Sequence, residues 1–456
     1  MLQAIDPTIG HVLRSVTPAT PQEVEHTLAA AEAAWRDWRD AGFDARARVL
    51  RKVAQLMRED VHRLALLMTE EMGKPKKEAI GEVNKAAWAA EHYADHAQGY
   101  LATQKIASDA SSSYVRYESL GVILGILPWN APFWLAFRFA APALMAGNTC
   151  VMKHDPHVPG CAAAIAEVFD KAGAPPGVFA NLPLETEQVE AVIRDERIQA
   201  VSFTGSERGG AAVAAVAASE IKHAVLELGG SDPAIVLADA DLQEAADVLT
   251  LSRIINAGQS CIAAKRILVE DAVYERFTGL MHERLARLRL GDPREDATDI
   301  GPIARADLRE NLHRQVRETI AAGARCLLGG ELPSGPGWFY PVTLLADVTN
   351  DMPAAREETF GPVAVLMRVA DEAEAVRVAN DTRYGLAASV WTTAARGEAI
   401  ATRLEAGQIA VNGIVKTDPR LPSGGIKRSG FGRELGPHGI REFVNAKQVW
   451  VGPKVE

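Results

Sequence analysis

The residues best suited to covalent chemistry lie between Asn256 and Ala264, a stretch that reads Asn-Ala-Gly-Gln-Ser-Cys-Ile-Ala-Ala. It sets one thiol, Cys261, among small and amide-bearing neighbours. A thiolate is the reactive form of cysteine and needs a polar approach, because apolar burial raises the thiol pKa. Gly258, Gln259 and Ser260 supply that approach, so Cys261 reads as a nucleophile. A small, buried, structural cysteine is the competing reading, and this stretch alone does not separate the two. A second group lies 34 residues upstream, where Val225 to Gly230 reads Val-Leu-Glu-Leu-Gly-Gly and Glu227 stands between leucines. A carboxyl in such a setting should have a raised pKa, which suits a general base near neutral pH. Thiol and base together point to covalent catalysis followed by hydrolysis.

The chain around them has 456 residues, more than one ordinary core holds, so about two or three domains are expected. Lys plus Arg total 49 against 59 Asp plus Glu, a formal charge of -10. That balance opposes binding to a phosphate backbone and favours small-molecule work, with no nucleic-acid partner. The four cysteines, Cys150, Cys161, Cys261 and Cys326, form no CxxC pair, and no His or Cys cluster has metal-ligand spacing. No metal is expected. A reducing cytoplasm fits this cysteine usage, and Met1 to Arg14 lacks the basic start and apolar core of a secretion signal. The stretch Leu120 to Gly147 carries Arg138 as its single charge but is broken by Pro128, Asn130, Pro132 and Pro142. It reads as buried core, not as a membrane span.

The elements that must position the thiol and the carboxyl follow from periodicity. Thr20-Pro21-Gln22-Glu23 has the form of a helix N-terminus, and Val24, Leu28, Ala31, Trp35 and Trp38 recur behind it at helical spacing. Further helices are expected from about Asp44, up to Met72 before the stop signals Gly73-Lys74-Pro75, and from about Lys77 to Tyr100. Tyr114 to Tyr117 alternates like a strand of an exposed hairpin. From Gly121 short apolar runs (Val122 to Leu127, Thr149 to Lys153, Ala200 to Thr204, Ala234 to Leu237) alternate with helical segments, the pattern of a parallel sheet covered on both faces. Phe203-Thr204-Gly205-Ser206 ends one strand and opens an alanine-rich helix. A glycine turn at a helix N-terminus can seat a phosphate, but the run is not GxGxxG, and a plain tight turn explains it equally well. A second α/β block follows Cys261, with strands expected at Arg266 to Val269, Val363 to Val369, Ala388 to Thr392 and Ile409 to Asn412. The glycine-rich stretch Pro422 to Gly436 closes it, and Gln448 to Val451 ends the chain as a β-like tail.

Seven motifs in order make the chain resemble the aldehyde dehydrogenase superfamily over nearly its full length, most closely the succinate-semialdehyde dehydrogenase group. They are Pro128-Trp129-Asn130, Lys153 at a strand end, Phe203-Thr204-Gly205-Ser206, Leu226-Glu227-Leu228-Gly229-Gly230, Gly258-Gln259-Ser260-Cys261, Glu357-Glu358-Thr359-Phe360-Gly361-Pro362 and Gly424-Gly425-Ile426-Lys427-Arg428-Ser429-Gly430. The resemblance implies an α/β fold with a Rossmann-like cofactor domain (residues 1–100 and 120–229), a catalytic domain (230–435) and an oligomerisation arm (101–119 and 436–456), assembled as a homodimer or homotetramer. It implies attack of Cys261 on an aldehyde, an oxyanion held by the Asn130 amide and the Cys261 N–H, hydride transfer to NAD or NADP, and thioester hydrolysis by water that Glu227 activates. Preorganised oxyanion donors of this kind contribute roughly 10²–10³ in rate. Glu358 would hold the nicotinamide ribose beside Phe360, Lys153 the adenosine ribose, and Trp129, Gly205 and Ser206 would line the cofactor path. Core packing is the alternative role for Trp129 and Phe360.

Departures from the family pattern bear on cofactor and substrate. NAD-preferring relatives place Glu three residues after the lysine, where this chain has Pro156, so use of both NAD and NADP is expected. Ala131 and Ser423 are small where many relatives carry aromatic residues in the substrate tunnel, which implies a wider or more polar tunnel. Arg138, nine residues after Trp129, matches a carboxylate-binding arginine of succinate-semialdehyde dehydrogenases, with Ser423 beside it as a substrate residue. The alternative for Arg138 is an internal salt bridge, since a lone buried charge is costly. The second arginine of some members is Ile255 here; Lys416 or Arg420 is the substitute that sequence proximity suggests. Succinate semialdehyde is the expected substrate, with another semialdehyde or an uncharged aldehyde as alternatives. A catalytically silent protein with this fold is the reading from another class.

Overall fold

A computed structural model describes residues 1–452, so the last four residues of the expected 436–456 arm segment lie outside the described residues. The chain opens with an antiparallel hairpin, β1 (Leu2–Asp6) and β2 (His11–Val16), which the sequence reading did not anticipate. Four helices follow: α1 (Pro21–Asp40), α2 (Gly42–Glu59), α3 (Val61–Met72) and α4 (Lys76–Tyr100). The first carries the expected reciprocal cap, with the Glu23 N–H donating to Thr20 Oγ1 and the Thr20 N–H to Glu23 Oε2. Gly73, in the left-handed region at φ 77°, ends α3. Ala86, Ala87, Ala90, Tyr93 and Ala97 of α4 are buried in the largest hydrophobic core, which also takes in the next helix, Pro132–Met145.

Strands β3 (Gln104–Lys105) and β4 (Ser112–Ser119) precede the first α/β block. That block runs β5 (Val122–Ile126), α5 (Pro132–Met145), β6 (Thr149–Lys153), α6 (Pro159–Lys171), β7 (Phe179–Asn181), α7 (Thr186–Arg194), β8 (Ile198–Thr204), α8 (Glu207–Ser219) and β9 (His223–Glu227). Its strands are parallel, in spatial order β9-β8-β5-β6-β7, and every residue of β5 and β6 is buried, as strands covered on both faces require. The second block begins with β10 (Pro233–Val236), α9 (Leu242–Ile254) and β11 (Arg266–Glu270), and continues through β12 (Arg325–Leu328), β13 (Thr343–Ala346), β14 (Val363–Val369), β15 (Ala387–Trp391) and β16 (Gln408–Val411). Its seven-stranded sheet has the order β12-β13-β14-β11-β10-β15-β16.

Two late strands leave that block. β17 (Gly430–Phe431) crosses to the first sheet and pairs antiparallel with β9, placing Gly430 opposite Glu227. The stretch expected to close the second domain therefore also completes the first sheet. β18 (Val444–Val451) pairs antiparallel with the whole of β4, so the Tyr114 strand and the β-like tail form one three-stranded sheet with β3. No helix among the described residues is long and apolar enough to cross a membrane.

Candidate active site

The first sheet gathers four of the motifs at one edge. The register pairs Ile126 with both Lys153 and Phe203, and Thr204 with Glu227, so the carboxyl ends of β5, β6, β8 and β9 lie level. Ligands of open α/β sheets bind outside that edge. β5 delivers Trp129 and Asn130 into the start of α5, β6 delivers Lys153, and β8 delivers Gly205 and Ser206 into α8. The Gly205 N–H donates to the Glu227 carbonyl at 3.0 Å, and Ser206 Oγ caps α8 by accepting from the Gly209 N–H at 3.2 Å.

The expected nucleophile, Cys261, follows a strained turn. Asn256 (φ 55°), Ala257 (φ 52°) and Gly258 (φ 74°) are three successive left-handed residues, each non-glycine one costing about 1–2 kcal/mol. Polar contacts hold them. The Glu78 carboxylate accepts the Asn256 N–H at 2.6 Å, the Asn256 amide donates to the Asn130 carbonyl at 2.9 Å, and fully buried Arg253 donates to the Gly258 carbonyl at 2.7 Å. A Cβ on Gly258 would overlap the Gly361 carbonyl, so the Gly258-Gln259-Ser260-Cys261 and Phe360-Gly361-Pro362 motifs meet backbone on backbone. The Asn130 side-chain amide donates to the Gln259 carbonyl at 3.1 Å, which brings the expected oxyanion donor to the nucleophile loop. Lys265, fully buried, donates to the carbonyls of Ser260 (3.0 Å) and Cys261 (2.5 Å) and stands 3.6 Å from Glu358. Cys261 keeps partial exposure as a residue, yet burial pushes its thiol up to about 11, with Arg138 and Lys265 pulling the other way. The surroundings are thus drier than Gly258, Gln259 and Ser260 suggest.

Glu227, at the end of β9, is 4 % exposed. Its Oε2 lies 3.2 Å from an Arg138 guanidinium nitrogen. Its Oε1 is buried with no hydrogen-bond partner among the described residues and faces Gly424, where a Cβ would stand 2.5 Å away. Burial raises the Glu227 pKa, and Arg138 only partly offsets it. A buried carboxyl with one oxygen open toward a glycine is placed to take a proton from water.

Arg138 is itself buried and ion-pairs with Glu434 as well as Glu227. The expected substrate anchor therefore has two internal acids, and the geometry supports the alternative salt-bridge role. Glu434 escaped the sequence reading; its one signal is its position inside the glycine-rich closing stretch. Ser423 is buried beside it, exchanging backbone hydrogen bonds with Glu434 at 2.7 and 2.8 Å. Arg420 is corrected too: it forks onto Asp418, is exposed, and offers no charge toward the interior.

Helix α4 supplies a buttress that sequence reasoning missed. Glu82 accepts the N–H groups of Phe133 (3.0 Å) and Trp134 (3.2 Å), capping α5 from outside. Lys74 ion-pairs with Glu82 and donates to the Asn130 carbonyl at 2.9 Å. Gly73-Lys74-Pro75 reads as a stop signal, which hides the second task of its lysine.

The Trp129 and Phe360 rings meet edge to face at 5.8 Å. Glu358 Oε1 accepts the Gly230 N–H at 3.0 Å, and Gly229 leaves its carboxylate room that a Cβ would fill. Lys153 is 7 % exposed, has no acid within salt-bridge distance among the described residues, and has its pKa lowered by burial. Asp155, near it, spends Oδ1 on His157, accepting its N–H at 2.9 Å and pairing with its ring at 2.7 Å. An unpaired buried cation, a carboxylate on a glycine cradle and two aromatic faces fit a nicotinamide dinucleotide. Among the described residues no group of three or more His, Cys, Asp or Glu is arranged to hold a metal ion.

A parallel sheet that presents its motifs at one edge, joined to a thiol loop and a buried carboxyl, defines a class, and comparison with known proteins gives it a name. The aldehyde dehydrogenase family model matches residues 1–449, and the chain belongs to that family. It is 48% identical over 451 residues to a probable succinate-semialdehyde dehydrogenase [NADP(+)] of Synechocystis sp., covering 99% of each chain. It is 44% identical to the succinate-semialdehyde dehydrogenase [NADP(+)] of Mycobacterium avium, covering 99% of this chain and 97% of that one. The crystal structure of a succinic semialdehyde dehydrogenase from Streptococcus pyogenes with NADP+ superposes with a TM-score of 0.97 at 37% identity, covering 99% of this chain and 100% of that one.

Proposed function

We propose that this chain oxidises succinate semialdehyde to succinate, with NADP as the preferred electron acceptor and NAD as a second one. The observation that carries the chemistry is the joint placement of Cys261 on a braced loop and Glu227 with one unpartnered oxygen. The substrate and cofactor are supported by the full-length likeness to relatives named for both.

Cys261 attacks the aldehyde carbon as a thiolate, its proton having passed to solvent water, and Arg138 and Lys265 favour the thiolate against the cost of burial. The Asn130 amide exchanges its contact with the Gln259 carbonyl for the new oxyanion, and the Cys261 N–H would serve as the second donor. NADP, when bound, supplies hydride acceptance. Glu358 on its glycine cradle would hold the ribose near Phe360, Lys153 the far ribose and its phosphate, and Trp129, Gly205 and Ser206 the path between them. Pro156 brings no carboxylate against a 2′-phosphate, and Asp155 is engaged by His157. Glu227 then takes a proton from water that attacks the Cys261 thioester, releasing the acid and the thiol.

We further propose that the sheet of β3, β4 and β18 joins copies of the chain into a homo-oligomer. β18 is the edge strand of that sheet, its outer side without a strand partner among the described residues, and it exposes Trp450 and Val451. Four free cysteines suit a reducing cytoplasm.

The test follows reduced nicotinamide with succinate semialdehyde, glutarate semialdehyde, butanal and benzaldehyde, each with NAD and NADP. Highest kcat/KM for succinate semialdehyde with NADP is expected. An uncharged or aromatic aldehyde that wins would overturn the substrate assignment and leave the family mechanism standing.

A further inference from the structure

Trp134 and Arg138, four residues apart, share one face of α5, and Asn130 stands two residues before the helix; the Asn130 amide reaches the Cys261 loop and Arg138 reaches Glu227. Trp134, midway along it, is covered by a cation from another helix. Lys85 of α4 places its ammonium 4.2 Å from the Trp134 ring centroid and donates to Thr417 Oγ1 at 2.8 Å. Thr417 is itself buried, in the loop that leads to Ser423.

Lys85 has no acid within salt-bridge distance among the described residues. The charges facing it are already committed or repel it. Glu82, on the same helix, is spent on Lys74 and the α5 N–H groups. Asp418, on the facing loop, is forked by Arg420. Lys416 on that loop and Arg138 on α5 are cations, and with burial as the largest cause they lower the Lys85 pKa to about 8. A partly buried ammonium without a counter-ion is costly to the apo protein. Such a site is favoured when a ligand brings the missing anion.

We propose that Lys85, steadied over Trp134 by Thr417, receives the remote carboxylate of an ω-carboxylated aldehyde whose carbonyl end sits at Cys261 and Asn130. Arg138 does not compete for this role, because its charge is matched by Glu227 and Glu434. The geometry suits a short chain. Asn130 lies two residues before α5 and Trp134 in its first turn, so only four residues of chain separate the oxyanion donor from the ring under Lys85, a short span that suits a four-carbon semialdehyde. The proposal rests on the semialdehyde reading above and adds the residue that selects for it.

The full-length enzyme is assayed with succinate semialdehyde and with butanal, with NADP saturating, for the native chain, Lys85→Met, Lys85→Arg and Thr417→Val. Lys85→Met should lower the ratio of kcat/KM for succinate semialdehyde to that for butanal by about 10- to 100-fold, mostly through KM, as expected for a lost charged hydrogen bond. Lys85→Arg should restore most of the ratio, and Thr417→Val, which keeps the charge, should lower it less. In the native enzyme the KM for succinate semialdehyde should climb relative to butanal as pH passes about 8 and Lys85 loses its proton. Equal losses for both aldehydes in Lys85→Met would make Lys85 a loop anchor and overturn the proposal. A native enzyme that prefers succinate semialdehyde and a Lys85→Met variant that keeps the preference would overturn it while sparing the substrate assignment. A native enzyme with no preference overturns both.

Discussion

Arg138 sets one guanidinium nitrogen 3.2 Å from Glu227 and ion-pairs with Glu434, so a single buried cation answers two carboxyls. The second Glu227 oxygen is left without a partner. Burial favours the neutral acid, and Arg138 opposes it. Because water activation needs the ionised form, kcat should rise with pH along the Glu227 titration wherever thioester hydrolysis limits turnover. Removing the cation raises a carboxyl pKa further. Arg138→Met should therefore move that limb of the kcat–pH profile to higher pH, and should cost about 3–5 kcal/mol of stability because a charge pair is broken on one side only. An unmoved limb together with a lost preference for succinate semialdehyde would return Arg138 to the role of substrate anchor.

Glu227→Gln separates the two half-reactions. The amide fills the same space beside Gly424 but cannot take a proton from water. Rapid mixing should show a burst of about one reduced nicotinamide per active site followed by steady turnover slowed roughly 10²–10⁴-fold. Loss of the burst itself would place Glu227 before thioester formation.

Gly258 tests the loop. A side chain there must adopt φ 74° and overlap the Gly361 carbonyl. Gly258→Ala should lose at least about 2 kcal/mol and most turnover, while Ala257→Gly, which relieves the neighbouring left-handed residue, should stabilise by up to about 1 kcal/mol. Chemical denaturation of both variants checks the pair. A stable, active Gly258→Ala would show that the two motifs can move apart.

The strand bounds Thr149 to Lys153 and Val363 to Val369 were legible because continuous apolar runs between helical segments have few other solutions. Cys261 and Glu227 stood out as candidates for chemistry, since each is a polar group in a setting that needs a reason, whereas the oxyanion role of Asn130 came only with the family resemblance. What the sequence hid are the partners. Glu434 reaches Arg138 across 296 residues and Gly430 pairs with β9 across 203, and no local pattern announces contacts of that range. The β1–β2 hairpin was missed because its strands are short and mostly exposed on β2, which erases the alternation. Lys74 reads only as part of a helix stop signal, and Glu82 and Lys85 are not singled out by the sequence; only their burial or lack of an acid partner marks them.

Lys74 and Glu82 are expected to act through Asn130. Glu82 caps α5 and Lys74 holds the Asn130 carbonyl. Glu82→Gln keeps one acceptor for the α5 N–H groups but leaves Lys74 unpaired, and it should lower kcat with little change in cofactor KM. Lys74→Ala strands a buried carboxylate and should cost about 3–5 kcal/mol. Steady-state kinetics paired with thermal melts would expose a purely structural role as a loss of stability with kcat intact.

Asp232 gives a pH-dependent stability with a definite sign. It immediately precedes β10, accepts the Ala387 N–H at 3.1 Å through Oδ1, and has Oδ2 buried without a hydrogen-bond partner among the described residues. Burial raises its pKa from 3.8 to about 7 in spite of nearby Lys265. Between those values the folded state holds a proton that the unfolded state has released, so the slope of stability with pH is negative. The contribution is fully present below about pH 3.8 and is lost as pH rises through about 7. Asp232→Asn keeps the acceptor for Ala387 and removes the titration. Its Tm should lie nearest that of the native chain below about pH 4 and exceed it by a growing margin as pH rises to 8, where the gap should be on the order of a few kcal/mol. If the variant is instead less stable at pH 8 than the native chain, the ionised Asp232 is a net-favourable partner of Lys265.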